Sequence, residues 1–384
     1  MTAMTKIATD TLPLTGSDLA LAGMSGGVDS AVATVLAARS GQRAVGVTMR
    51  LYTPGDGELS ERARQCCGPT AYEDARRVAA IAGIPHYVVN FERAFERSVL
   101  DYFCHEYLAG RTPNPCVACN NLVKFGALLD FARALGARRM ITGHYVRIAH
   151  DAGGPRLLRA LDRTKDQSYM LAGLRPEQLA AVTTPLGGIT KEETRALARD
   201  FRLGVADKPD SMDLCFVDRD YRSFIERRFP NAARNGPVVT VDGRNAGRHD
   251  GLLGFTVGQR KGIAGASLGD GPWYVVRTDA HTNTLVIGRR EDLARRAVEC
   301  SAANVIRPGA FVDGVASALA VCRYRSKPIH AVARLLGDRL LVNLAEPVNI
   351  VSPGQLLVLY DSADEEVIAS GIIEPDATEL RAAS

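Results

Sequence analysis

Hydrophobic and polar positions follow two different rhythms along this chain. In the first half, short apolar runs are separated by amphipathic stretches of ten residues or more. The pattern predicts strands at Leu19–Ala22, Ala44–Leu51, Pro85–Asn90 and Arg138–Thr142, and helices at Ala31–Ala38, Tyr72–Ala82, Phe91–Leu108 and Phe125–Leu135. Strands alternating with helices of that length imply an α/β fold with a doubly wound parallel sheet. Ligands of such sheets bind at the carboxyl ends of the strands. Two candidate ends stand out: the Gly/Ser-rich GMSGGVDS after the first strand, and Gly143-His144 after the fourth.

Beyond about Phe216 the rhythm changes. A short helix at Tyr221–Phe229 leads into Gly-rich, strand-forming sequence (GPVVTVDG, GFTVGQRKG, PWYVVRTDAHTNTLVIG). From about Ala297 the chain reads as strand and turn, with a hairpin centred on Gly337-Asp338. Short strands punctuated by turns predict a small barrel. Three units are therefore expected: a catalytic α/β domain over 17–216, a small β-rich domain over 217–295 and a C-terminal β-barrel over 296–380. No internal repeat is visible.

The chain has 384 residues, 46% of them hydrophobic and 23% charged, as in globular proteins. No run approaches the ~20 apolar residues needed to cross a bilayer, and the first residues lack the apolar core of a secretory signal. The expectation is a cytoplasmic protein with no membrane partner, whose eight cysteines are thiols, ligands or catalysts and not a disulfide framework. A net charge of +4 does not by itself announce nucleic-acid binding. The basic residues are 40 Arg against 7 Lys, so a lysine that persists draws notice; five of the seven (Lys124, Lys165, Lys208, Lys261, Lys327) lie in the motifs below.

GMSGGVDS covers Gly23, Met24, Ser25, Gly26, Gly27, Val28, Asp29 and Ser30. No lysine precedes the last serine, so it is not a Walker loop. It resembles the SGGxDS loop of PP-loop pyrophosphatases. Gly26 and Gly27 let consecutive N–H groups turn inward, the following helix adds its positive end, and Ser25 and Ser30 add hydroxyls. Asp29 is placed to orient Mg²⁺ on a pyrophosphate. Gripping the β- and γ-phosphates of ATP favours attack at the α-phosphorus, which is adenylation with release of pyrophosphate. The plain alternative is a glycine-rich turn before a helix.

RTPNPCVACN carries Cys116 and Cys119, and DKPDSMDLCF carries Cys215 about a hundred residues later. A persulfide relay, a cluster held by the three thiols, structural zinc and inert packing thiols are all open at this point. Cys66 and Cys67, in a polar segment, are either accessory thiols or incidental. Cys104, Cys300 and Cys322 fit buried packing. The histidines show no metal-binding spacing.

GMSGGVDS, AGRTPNPxxxCNxxxKF, TGHY, KDQSYML, DSMDLCF, GQRKG, PWYVV, CRYR and SPGQ occur in one order over roughly residues 17 to 375. In this the chain resembles the tRNA-specific 2-thiouridylase (MnmA/TrmU) family. The resemblance implies ATP-dependent sulfur transfer to C2 of the wobble uridine (U34) of tRNAs, those for Lys, Glu and Gln. By motif, Cys119 takes the role of nucleophile and Cys215 that of persulfide carrier. The two close a disulfide as sulfur leaves, with sulfur supplied by a donor protein or persulfide carrier. Gly23 to Ser30, Met49 and Gly143 correspond to the ATP site. Asn114, Pro115 and Cys116 correspond to the target-base contact. His144, Lys165, Asp166, Gln167, Arg323, Tyr324 and Gln355 correspond to tRNA contacts. One departure is Cys116, where many members have Asp. Cys116, Cys119 and Cys215 are then also candidate ligands of a 4Fe-4S cluster, as in related thiolases. CRYRSK, read as a strand, sets Arg323 and Arg325 on one face and Tyr324 on the other. The rival readings are another adenylating ligase acting on a small molecule, and an RNA-binding module without activity.

Overall fold

The computed structural model describes residues 18–52, 68–210, 214–217, 220–263 and 271–376. Cys66, Cys67 and residues 211–213 of the DSMDLCF motif lie outside them, as do the first and last residues of the expected outer domains.

The first four strands are β1 (Ala20–Gly23), β2 (Ala44–Arg50), β3 (His86–Asn90) and β4 (Arg139–Ile141). A hairpin, β5 (Val146–Asp151) and β6 (Gly154–Arg159), follows before β7 (Val182–Thr183). The order β3-β2-β1-β4-β7 is parallel throughout. β1 is almost wholly buried and β2 largely so, as central parallel strands covered on both faces are. The strand order reverses between β1 and β4, which makes the crevice beyond their carboxyl ends the expected ligand site. Both of the loops singled out in the sequence open there.

Helix α1 (Val28–Arg39) starts directly from the glycine-rich loop, and α2 (Pro69–Ala82) packs beside it. α2 buries Ala71, Ala75, Val78 and Ala79, a stripe at helical spacing, and ends at Gly83 in the left-handed region (φ 69°). Residues 92–108 form a helix as expected, with a wider π-helical turn at Glu96–Leu100. The next helix starts ten residues before the predicted Phe125. Asn114 caps it, accepting from the Val117 N–H at 3.2 Å, Pro115 takes the first position, and helical geometry continues to Ala134. From Cys119 to Ala127 this helix too is widened to π geometry.

After the helix Tyr221–Arg228 come β8 (Gly236–Thr240), β9 (Asn245–His249), β10 (Tyr274–Asp279) and β11 (Thr284–Gly288), in a sheet of order β10-β11-β8-β9. The remaining strands are β12 (Ala294–Val305), β13 (Val315–Val321), β14 (Ile329–Leu336), β15 (Arg339–Asn349), β16 (Leu356–Tyr360) and β17 (Glu366–Ile373). They pair in the order β12-β15-β14-β13-β16-β17, and β17 returns to β12, closing a six-stranded antiparallel barrel. The hairpin at Gly337-Asp338 is there, with Leu336 opposite Arg339. Small residues (Ala316, Ala318, Ala320, Ala331, Ala333) with Leu340, Val342, Leu357 and Leu359 fill the interior.

The β5–β6 hairpin does not stay with the parallel sheet. β6 pairs with β17 (Leu158 opposite Glu366), so the α/β domain extends the barrel's own sheet. The barrel also exchanges hydrogen bonds with the segment that follows this hairpin. Tyr169 OH donates to the Leu356 carbonyl at 2.5 Å, Asn304 Nδ2 to the Ala172 and Leu174 carbonyls at 2.8 Å, and Ser370 Oγ to Ala172 at 2.9 Å. KDQSYML is thereby held between the two domains.

Candidate active site at the switch point of the parallel sheet

The phosphate loop is tightly tied to its surroundings. The Met24 carbonyl, one residue past β1, accepts from Thr48 Oγ1 at 2.8 Å, which locks the exit from the strand to β2, where Met49 also lies. Ser25 and Ser30 hydroxyls lie 3.1 Å apart, and the Ser25 N–H donates to Ser30 Oγ at 3.1 Å. Gly26 has φ +74°, and a Cβ on it would lie 2.5 Å from the Ala71 carbonyl of α2. Only glycine allows both the turn and the approach. Gly27 caps α1 with no side chain over the first amides, leaving Val28, Asp29 and Ser30 in the helix's positive first turn. Gly143 closes the crevice from the β4 side: a Cβ there would stand 2.6 Å from the Asp29 carbonyl carbon and the Ser30 nitrogen.

Asp29 faces a cluster built from three motif residues, Tyr145, Lys165 and Asp210, and two residues outside the motifs, Lys191 and Arg195. Lys191 Nζ lies 2.6 and 2.8 Å from its two carboxylate oxygens, and Tyr145 OH donates to it at 2.8 Å. Lys191 also reaches Asp210 at 2.8 Å, and Asp210 in turn binds Lys165 (2.8 Å) and Arg195 (3.0 Å). Burial works to raise the Asp210 pKa, but the hydrogen bonds from Lys165 and Lys191 outweigh it and hold it at about 2. Lys208 donates to the Gly26 carbonyl at 3.2 Å and pairs with Asp74.

The thiol helix meets the β4 end of the site through Phe125, whose ring lies 5.6 Å from that of His144. Cys116 is exposed as the second residue of the helix, Cys119 is buried, and Cys215 is half-buried against the same apolar cluster as Cys119. Burial pushes the Cys119 thiol above the usual range, while the nearby Lys124 ammonium pulls it back. All six described cysteines are thiols, and Cys104, Cys300 and Cys322 are buried. Among the described residues, no group of three His, Cys, Asp or Glu side chains is gathered so as to hold a metal. Cys116, Cys119 and Cys215 are described residues, so their present arrangement does not fit a cluster. Asn120 Nδ2 donates to the Met170 carbonyl at 3.1 Å and joins this helix to KDQSYML.

Several expected tRNA contacts hold the protein together. Gln355 Nε2 donates to the Thr112 and Pro113 carbonyls (2.7 and 3.2 Å), pinning the loop that delivers Asn114, Pro115 and Cys116. Asp166 is buried, and its carboxylate accepts from Arg159, the Ala160 N–H and Ser168 Oγ at 2.7–2.9 Å. Gln167 Oε1 accepts from the Tyr145 N–H at 2.9 Å. His144 shares a hydrogen bond with Thr142 Oγ1 (2.7 Å), and burial, helped by Lys124, pushes its pKa down to about 3, so the ring is neutral. The strand reading of CRYRSK is corrected. β13 ends at Val321, the Ser326 N–H bonds back to the Arg323 carbonyl at 2.9 Å, and Arg325 has φ 64°. In this turn Arg323 and Arg325 are exposed, and the Tyr324 ring lies 5.7 Å from that of Tyr169, beside KDQ.

Residues 19–219 match the profile of the tRNA methyl transferase HUP domain, 222–289 that of the tRNA methyl transferase PRC-barrel domain and 310–373 that of the aminomethyltransferase beta-barrel domain. The chain is 43% identical over 366 residues to the tRNA-specific 2-thiouridylase MnmA of Carboxydothermus hydrogenoformans, covering 94% of this chain and 98% of that one. The chain belongs to the tRNA-specific 2-thiouridylase family. Other members are as similar: those of Methylobacterium sp. (91% of this chain and 93% of the relative) and Methylorubrum populi (91% and 92%) are 45% and 46% identical. A solved U34-tRNA thiolase, NcsA from Methanococcus maripaludis with its 4Fe-4S cluster, aligns over 59% of this chain and 70% of its own at 16% identity and a TM-score of 0.36. It is too remote to bear on the thiols of this family member.

Lys191 is the cluster residue that no motif contains; Tyr145 of TGHY and Asp210 of DSMDLCF sit inside motifs but were given no role there. A signal existed for the first of them. Lys191 is one of seven lysines in an Arg-rich chain, and the two outside the motifs were Lys6 and Lys191.

Proposed function

We propose that the protein is a tRNA-uridine 2-sulfurtransferase that uses ATP to replace the C2 oxygen of the wobble uridine with sulfur. The observation that carries this reading is the match to 2-thiouridylases over more than nine-tenths of the chain. The geometry supports it: Gly143 abuts the phosphate loop, and the next residue, His144, packs on Phe125 of the cysteine-bearing helix.

In the proposed reaction the C2 oxygen attacks the α-phosphorus of ATP, pyrophosphate leaves, and the uridine carries AMP as its leaving group. The loop amides and the first turn of α1 bind the polyphosphate. Asp29 suits Mg²⁺, which binds through one or two carboxylates plus phosphate oxygens; the ammonium already drawn to Asp29 marks the position as one that attracts a cation. When bound, the ion neutralises phosphate charge.

The terminal sulfur of a persulfide on Cys215 then attacks C2, and the C2–O bond to AMP breaks. Cys119 attacks the inner sulfur, the S–S bond breaks, and thiouridine leaves with a Cys119–Cys215 disulfide behind it. The sulfane sulfur gains two electrons and the two thiols lose two, so a reductant must reopen the disulfide each cycle. The Cys119 thiol rests protonated, so the thiolate forms only as the reaction demands it. The donor is a persulfide carrier, the substrates are tRNAs for Lys, Glu and Gln, and the compartment is the cytoplasm.

The test is reconstitution with ATP, Mg²⁺, unmodified tRNA and a sulfur donor, in air and anaerobically, with thiouridine read on a mercury gel and protein-bound iron measured alongside. Colourless, iron-free protein should thiolate, and Cys119→Ser and Cys215→Ser should each abolish thiolation with tRNA affinity kept. Activity confined to brown, oxygen-sensitive protein would replace the relay with a cluster.

A further inference from the structure

Lys191 belongs to no motif quoted above, yet its side chain is about nine-tenths buried and held by two carboxylates, Asp29 at 2.6 and 2.8 Å and Asp210 at 2.8 Å. Its position is electrostatically wrong for a lysine. It is the first residue of the helix Lys191–Asp200, where the helix dipole disfavours a cation. The neighbouring Glu192 and Glu193 obey the rule, and Glu193 completes a capping box with Thr190. A cation in that place is explained by what it faces, not by its helix.

It faces the mouth of the phosphate loop. Asp29 stands in the first turn of α1, where an incoming polyphosphate would meet a carboxylate of the same sign. Asp29, Asp210 and Asp162, which accepts from the Lys191 N–H at 3.1 Å, balance the three positive charges of Lys191, Lys165 and Arg195, so the capture of Asp29 by Mg²⁺ would leave the ammonium free to meet an anion.

The bland explanation is a salt bridge that fastens the helix Lys191–Asp200 to α1. That fastening already exists without the lysine. Tyr145 OH donates to Asp29 and lies 2.9 Å from Thr194 of the same helix, and Arg39 at the end of α1 stacks 4.0 Å from the Phe201 ring that ends it. A buried ion pair replaced as a whole changes stability little, although removing one partner alone destabilises.

We propose that Lys191 is a nucleotide-binding residue for the adenylation step. It holds Asp29 before nucleotide arrives, then passes from Asp29 to a phosphate oxygen as Mg²⁺·ATP takes the carboxylate. The inference rests on the adenylating reading of the loop. A lysine suits this exchange better than the arginine this chain otherwise favours. A compact ammonium on a flexible stem can leave one oxygen for another, whereas a guanidinium locks a carboxylate in a two-pronged grip. Asp210 stays behind as the anchor that keeps the ammonium within reach of both.

The experiment uses the full chain with Lys191→Gln, which keeps length and hydrogen bonding but removes charge, and Lys191→Arg, which restores charge. Three quantities are read: Kd for Mg²⁺·ATP without tRNA, the KM for ATP in tRNA-dependent pyrophosphate release, and melting temperature. Lys191→Gln should weaken ATP binding and raise KM tenfold or more in a chain that melts somewhat lower but still folds and binds tRNA with unchanged affinity. Lys191→Arg should recover ATP affinity to within about threefold while turning over more slowly. Wild-type ATP affinity in Lys191→Gln, or a Lys191→Gln chain that does not fold, overturns the proposal and leaves the lysine a structural pin. Wild-type protein that binds ATP but releases no pyrophosphate with tRNA would instead refute the assigned reaction, and the ATP-binding arm would still judge Lys191.

Discussion

Gly143→Ala isolates the contact between the two halves of the crevice. The added Cβ would meet the Asp29 carbonyl carbon and the Ser30 nitrogen at 2.6 Å and the Asp29 carbonyl oxygen at 2.8 Å. All three are backbone atoms, so no rotamer change relieves the overlap. Ordinary contact begins at 3.4 Å, and the loop and the end of β4 must therefore part by about 0.8 Å. Overpacking of this kind costs about 1–3 kcal/mol of stability. Its effect on catalysis is larger, because a misplacement of ~1 Å commonly costs ~10²-fold in rate. Pyrophosphate release with tRNA should fall by about two orders of magnitude, close to 3 kcal/mol in the barrier, while tRNA affinity holds. Gly188→Ala is the control, since its Cβ would meet nothing within 4 Å. Release within threefold of wild type in Gly143→Ala, at an unchanged melting temperature, would refute the placement of the cradle.

His144 makes stability depend on pH. Burial, with Lys124, holds its folded pKa at about 3, against about 6.5 for a free imidazole. Between those values the unfolded chain binds the extra proton, so stability falls as pH falls below about 6.5, by roughly 2 kcal/mol at pH 5. Urea midpoints at pH 5 and 7.5 should show this acid limb flattened in His144→Gln; an identical limb would mean the ring is not held neutral. Asp166→Asn should cost about 2–3 kcal/mol by weakening its grip on Arg159 and Ala160, with the folded fraction binding tRNA normally. Weaker tRNA binding at wild-type stability would make Asp166 a direct contact. Gln355→Ala releases the Thr112 and Pro113 carbonyls and should lower thiouridine formed per pyrophosphate released, with ATP affinity intact. A ratio equal to wild type would show that the loop needs no such pin.

The parts of this fold that a reader of sequence can see are those whose signal is local. The strands and helices around the parallel sheet announce themselves by periodicity, and SGGVDS by the demands of a tight, amide-lined turn. CRYRSK misleads because strand alternation is assumed where a positive φ at Arg325 makes a turn. The β5–β6 hairpin is illegible for a different reason: its pairing partner β17 begins more than two hundred residues later, and nothing in VRIAHDAGGPRLLR says which sheet will accept it. The helix over 115–134 is hidden by its own entry, since Thr112-Pro113-Asn114-Pro115 reads as loop until Asn114 is seen to cap and Pro115 to begin it.

Site residues divide along the same line. Motif residues are visible because several of them act through contiguous backbone, as Ser25 to Ser30 do. Lys191 acts from the far end of the domain through one ammonium, 162 positions from Asp29. Charge logic alone can find such a residue. A cation at the start of a helix that otherwise begins with two glutamates requires an anion across from it, and a buried anion at the mouth of a phosphate loop requires a cation. Each is the other's explanation, and the crevice that brings them together is also where the polyphosphate must enter.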